Sequence, residues 1–90
     1  MEGIEIIREW VEKTAHLIAT EPDNLEIEVK EDELGVLFTL KPGPKDRGLF
    51  IGKKGQSAKA FRDLLHLVGI GHDVKANLLV WTPEGPRSKE

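Results

Sequence analysis

The sequence contains no cysteine, which excludes disulfides, thiolate nucleophiles and cysteine-based zinc sites together and suits a reducing compartment. It also lacks any apolar run approaching the roughly 20 residues that a membrane-spanning helix needs. The opening segment MEGIEIIREW carries Glu2, Glu5 and Glu9 where a secretory leader would carry bases ahead of an apolar stretch. No internal repeat and no low-complexity segment is present. These absences lead to the expectation of a soluble, cytoplasmic protein. A chain of 90 residues is enough for one domain that buries roughly 60 to 65% of its unfolded surface and folds without staples.

The formal charge is −3, which by itself argues against an anionic partner, but it is unevenly spread. Residues 1–40 carry 11 acids and 3 bases, or −8. Residues 41–62 carry seven bases (Lys41, Lys45, Arg47, Lys53, Lys54, Lys59 and Arg62) against Asp46 alone, or +6, and residues 63–90 carry 4 acids and 3 bases, or −1. A ligand responds to the local potential more than to the total, so the basic segment is where an anion would bind.

In residues 4–19 the apolar positions Ile4, Ile7, Val11, Ala15 and Ile18 recur at helical spacing, with Ile6, Trp10 and Leu17 widening the stripe. This predicts one amphipathic helix, ended at TEPDN by its proline, with Trp10 in the core. NLEIEVKED alternates strictly and predicts a strand with Leu25, Ile27 and Val29 on the buried side. ELGVLFTLKP follows after a short acidic turn, so a hairpin is expected, with Val36, Phe38 and Leu40 facing the same core. Glu26 and Glu28 then lie on the solvated face and are not read as a catalytic pair.

KPGPKDRG is a loop by its prolines and glycines, and LFI leaves room for one short helical turn before Gly52. Beyond Gly55 the apolar positions Ala58, Phe61, Leu65 and Val68 share a helical face with Leu64 beside them. Ser57 or Gln56 is expected to cap this helix and Gly69 to stop it in a left-handed conformation. VKANLLVW predicts a last strand, with Trp81 closing the core, before the tail TPEGPRSKE. The order is helix, strand, strand, short helix, loop, helix, strand. It implies an α+β fold: a three-stranded mixed sheet covered by helices on one face.

The loop itself fails two nucleotide-binding tests. Gly48 and Gly52 are separated by three residues, not four, and Lys54 stands where a phosphate loop of the NTPase kind needs a hydroxyl. Gly69 and Gly71 begin a dinucleotide fingerprint, but Val74 replaces its third glycine and a strand follows. His16, His66 and His72 have no metal-ligand spacing. No metal ligand, cofactor or catalytic residue is assigned, and an enzyme is not expected. A plain turn with solvated lysines would explain the two glycines alone. The conjunction is harder to explain that way: Ile51 ahead, Lys53 and Lys54 inside, a helix behind, and Lys59 and Arg62 on that helix. Together these place loop amides, a positive helix end and cations where an anionic backbone can approach glycine closely.

IGKKGQSAKAFRDLL resembles the I-G-x-x-G signature of KH domains, whose loop between two helices clamps about four single-stranded nucleotides by their backbone. The helix-first order resembles the type II, prokaryotic arrangement, and the length resembles the small bacterial single-domain members. The resemblance implies a type II KH domain over residues 1–82, with residues 83–90 as a flexible tail. It implies that Gly52, Lys53, Lys54 and Gly55 form the clamp and that Ile51 leads into it. Gln56, Ser57, Lys59 and Arg62 would complete the RNA-binding set, with bases lying in a groove toward residues 74–80 that Ser57 and Ala58 could help line. It further implies a role in RNA metabolism or post-transcriptional control as an RNA chaperone, either as a homodimer or with a second KH protein. A reading from another class keeps the fold as a protein-interaction domain whose acidic face binds a basic partner. A small hydrolase is a third, since active sites assemble from residues distant in sequence.

Overall fold

The computed structural model describes residues 2–83. Helix α1 (Glu2–Ile18) leads through a 3-10 turn (Pro22–Asn24) to strands β1 (Glu26–Asp32) and β2 (Gly35–Lys41). Helix α2 (Arg47–Ile51), a second 3-10 turn (Lys53–Gly55), helix α3 (Gln56–Gly71) and strand β3 (Ala76–Val80) follow. The element order is the one expected. The expected tail lies outside the described residues except for Pro83, which sits in a turn.

Asp32 closes the hairpin between β1 and β2, its Oδ1 accepting from the N–H groups of Leu34 (2.8 Å) and Gly35 (3.2 Å). Strand β2 is central, antiparallel to β1 and parallel to β3, with α3 as the crossover. The register sets Ile27 opposite Leu40, Val29 opposite Phe38, and Phe38 beside Leu78. Because side chains alternate across a sheet, one face is then apolar up to Glu31 at its rim, opposite Val36, while the other carries Glu26, Glu28, Lys30, Lys41 and Asn77. Ile7, Val11 and Ala15 from α1, Phe50 from α2 and Ala58, Phe61 and Leu65 from α3 are buried in the same core. Trp10 meets Phe61 edge to face, with centroids 5.6 Å apart at 86°, a pairing worth about 1 kcal/mol beyond its burial.

Several expectations are corrected. Helix α1 buries a narrower stripe than its sequence suggests: Ile6, Ile18 and above all Leu17, at 86% exposure, face outward. Leu64 of α3 is exposed as well. Gly69 is not a left-handed stop, since α3 runs on to Gly71 and the left-handed residue is Asp73 at φ 58°. Gly69 instead permits close packing: a Cβ there would lie 2.5 Å from the Val74 carbonyl oxygen, and the Val74 N–H donates to the Gly69 carbonyl at 2.8 Å. Trp81 falls just beyond β3 and does not close the core. It is 38% exposed, with the Lys41 ammonium 5.9 Å from its ring centroid.

The end of α1 is held by a contact the sequence does not announce. Asp46, 1% exposed, accepts from the Thr20 hydroxyl at 2.6 Å and from the N–H groups of Thr20 and Glu21 at 3.1 and 3.0 Å. Its carboxylate ties the exit of α1 to the entry of α2, the short helix that carries the glycine loop. The hydrogen bond from the Thr20 hydroxyl, with those from the two amides, holds the carboxyl below its ordinary value of 3.8, against the opposing effect of burial. A carboxyl depressed in the folded state contributes stability above the unfolded value and loses it as pH falls through the folded one. Asp46→Asn is therefore expected to lower the melting temperature at pH 7 by roughly 5 to 10 °C, given hydrogen bonds to a charged acceptor in a domain of this size. The gap between variant and parent should close as the pH is taken below 3.8; paired thermal melts at neutral and acid pH measure it.

Candidate nucleic-acid interface

The loop of residues 52–55 is fixed by its backbone. The Gly52 N–H closes α2 on the Gly48 carbonyl at 2.7 Å, and Gly52 then turns out at φ 76°, ψ 176°, a conformation that only glycine adopts freely. Lys54 (φ 54°, ψ 31°) and Gly55 (φ 75°, ψ 15°) are both left-handed. For a lysine that conformation costs about 1 to 2 kcal/mol. The loop folds back so tightly that a Cβ on Gly52 would lie 2.6 Å from the Ser57 amide nitrogen. Gly55 is buried and Ile51 half-buried, so the loop is anchored at both ends, while Lys53 and Lys54 stand in solvent.

Neither Gln56 nor Ser57 caps α3. The position before the helix is Gly55, and no side chain donates or accepts there. The first N–H groups of a helix have no partner within it, and they add up to a partial positive charge at its N-terminus. The Gln56 N–H donates to the Lys53 carbonyl and the Ser57 nitrogen packs close to Gly52, so what this helix end offers phosphate oxygens is its partial positive charge beside two ammonium groups.

The basic segment is less free than its sequence tally. Lys41 is paired with Glu28 at 2.7 Å, Lys45 with Glu21 at 3.6 Å and Lys59 with Asp63 at 2.8 Å. The Glu28 hydrogen bond raises the pKa of Lys41 above its ordinary value, and the one from Lys59 lowers that of Asp63. Among the described residues no ion pair engages Lys53 or Lys54. Lys53 and Lys54 are thus exposed cations that keep their charge uncompensated by a neighbouring carboxylate among the described residues.

A cleft of about 640 Å³ opens between α3 and the start of β3, lined by His66, Ile70, Val74, Lys75, Ala76 and Asn77 and reaching the β1–β2 turn. It lies toward the far end of α3: eleven residues separate Gly55 from His66, about 16 Å at 1.5 Å per residue. Ala58 is buried in the core and Ser57 stands at the helix entrance, so neither lines this cleft. His66 and Lys75 do; Lys75 falls within the residues 74–80 toward which the groove was expected, whereas sequence reasoning gave His66 no such place. A signal was present, because Arg62, His66 and Ile70 recur at four-residue intervals along one face of α3. Among the described residues no group of His, Asp and Glu side chains is placed to hold a metal ion, and no helix is long and apolar enough to cross a membrane.

Comparison with known proteins agrees with this geometry. The profile described as KhpA/KhpB, KH domain, matches residues 8–80. The RNA-binding protein KhpA of Clostridium perfringens is 30% identical over 69 residues, covering 77% of this chain and 92% of its own length. The RNA-binding protein KhpA of Aquifex aeolicus is 32% identical over 75 residues, covering 81% and 95%. That of Listeria monocytogenes is 35% identical over 57 residues, covering 63% and 75%. No solved structure gives a significant match. With the helix-first order, the mixed sheet and the glycine loop all in place, the chain belongs to the KhpA/KhpB family of KH domains.

Proposed function

We propose that this protein binds single-stranded RNA and holds it by the backbone at residues 52–55. The observation that carries the reading is the coincidence of two exposed lysines, with no ion pair among the described residues, and an α3 N-terminus with no side-chain cap, in a loop whose glycines let phosphate come close. Lys53 and Lys54 supply charge, the N-terminus of α3 adds its partial positive charge, and Lys59 and Arg62 continue the basic track along the helix. Bases then lie toward the cleft at Val74 and Ala76, where the walls are largely apolar. The relatives are named as RNA-binding proteins, which supports the ligand class and a role in binding without catalysis. In this reading no bond is made or broken and no cofactor is needed. The protein acts in the cytoplasm as a sequence-tolerant RNA chaperone in RNA metabolism or post-transcriptional regulation, paired with itself or with a KhpB-like second KH protein.

Backbone binding carries a salt signature. Neutralising about three phosphates should give a log-log slope of affinity against salt near −2, at roughly 0.7 per phosphate for single strands. Fluorescence anisotropy with a labelled oligouridine across a salt series measures it, and a slope indistinguishable from zero would remove the backbone clamp.

A further inference from the structure

Asp63 is the sole acidic residue between Arg47 and His72, the stretch that holds the loop and all of α3. Its carboxylate binds the Lys59 ammonium at 2.8 Å and feels Arg62 and His66 as well. Helix stability does not explain the pair. A lysine four residues ahead of an acid is the weaker of the two orientations on a helix, and both side chains are more than half exposed, where such pairs contribute little. What the pair does change is the availability of Lys59. One carboxylate occupies a cation that stands one helical turn beyond the loop, on the track that a strand leaving the loop would follow.

We infer that Asp63 is an internal competitor for the RNA phosphate: its carboxylate occupies Lys59 until a phosphate displaces it, so RNA binds more weakly and leaves faster than the basic track alone would allow. The inference rests on the RNA-binding reading above. Asp63 acts through Lys59 and is a positioning residue. Binding at this point is an exchange of one anion for another around a fixed ammonium, with the freed carboxylate returning to water. The repulsion between Asp63 and the incoming phosphate remains after the exchange. Such a device favours rapid turnover on many sequences over tight residence on one.

The experiment compares the parent with Asp63→Asn, which removes the charge and keeps the shape, and with Asp63→Glu, which keeps the charge. The probe is a fluorescent oligouridine. Asp63→Asn is expected to bind about three to ten times more tightly at low salt, mostly through slower dissociation. Its salt slope should steepen by about 0.7, the value of one further phosphate contact. Asp63→Glu should behave like the parent. In a Lys59→Gln background the gain from Asp63→Asn should fall by more than half, because the competed cation is gone. A helix-stabilising role would lower the melting temperature of Asp63→Asn and leave the salt slope alone, which overturns the inference, as does an undiminished gain in the Lys59→Gln background. Lys53→Asp with Lys54→Asp, measured in parallel, separates the two claims. If that variant binds no RNA while Asp63→Asn is unchanged from the parent, the inference fails and the RNA-binding reading stands. If it binds as the parent does, the reading itself fails.

Discussion

Lys53→Asp combined with Lys54→Asp is expected to abolish binding of single-stranded RNA while leaving the melting temperature within a few degrees of the parent. The substitution changes the formal charge of residues 41–62 from +6 to +2, and the structure makes the effect larger than that arithmetic. Lys41, Lys45 and Lys59 already face carboxylates, so reversing the loop removes two exposed cations that have no ion pair among the described residues. Two attractions become two repulsions. At about 1 kcal/mol for each gain or loss of an exposed charge near a phosphate, the total is on the order of 3 to 4 kcal/mol, or a loss of at least ~100-fold in affinity.

The fold should tolerate the change. Both side chains are exposed, and exposed substitutions cost about 0.5 kcal/mol at most. At position 54 aspartate is even the better tenant, because the left-handed conformation there suits Asp more than Lys. Binding titrations beside circular-dichroism melts read both quantities. A variant that melts and binds as the parent does would make the lysines ordinary solvated residues and the proposed clamp wrong. If the variant were unfolded, Lys53→Gln with Lys54→Gln removes the charge more gently and repeats the comparison.

The fold was largely readable before the structure because its signals are local. Alternation in β1 and β2, the four-residue rhythm of α3 and the glycine spacing of the loop each depend on neighbours in the chain. The errors fall where the cause is distant. Leu17 and Ile6 share the periodicity of α1, yet no element among the described residues covers them, and periodicity cannot count partners. Asp46 looked like the lone acid in a basic loop. It is a buried acceptor for groups at Thr20 and Glu21, 26 and 25 residues away in sequence. The charge tally counted seven bases alike, yet Lys41 and Lys45 pair with acids from the N-terminal half and Lys59 with Asp63 just beyond the basic segment. Trp81 carried a strand residue's expectation and lies one position past the strand. Loop conformation was also beyond reach: the left-handed state of Lys54 follows from how α2 and α3 meet, and lysine has no local preference for it.

Gly52→Ala asks a different question, whether the backbone of the loop matters apart from its charge. At φ 76°, ψ 176° an L-residue is strained by about 1 to 3 kcal/mol. The new methyl would also lie 2.6 Å from the Ser57 nitrogen and 2.9 Å from its Cβ, besides touching its hydroxyl. The loop cannot keep its path, so its amides and the first turn of α3 must move apart. The expected result is a melting temperature lower by roughly 10 °C, taking about 4 to 8 °C per kcal/mol for a small domain. RNA affinity should fall at least ~10-fold even at temperatures where the variant is fully folded, although both lysines remain. Adding Ser57→Ala should restore little, since it clears the hydroxyl and leaves the backbone nitrogen in place. A Gly52→Ala protein that is destabilised yet binds RNA at full strength when folded would mean that the lysines act as point charges and that no phosphate sits on the amides. A protein that loses binding while Lys53 and Lys54 stay in solvent would mean that the geometry of the glycines, as much as the charge between them, holds the strand.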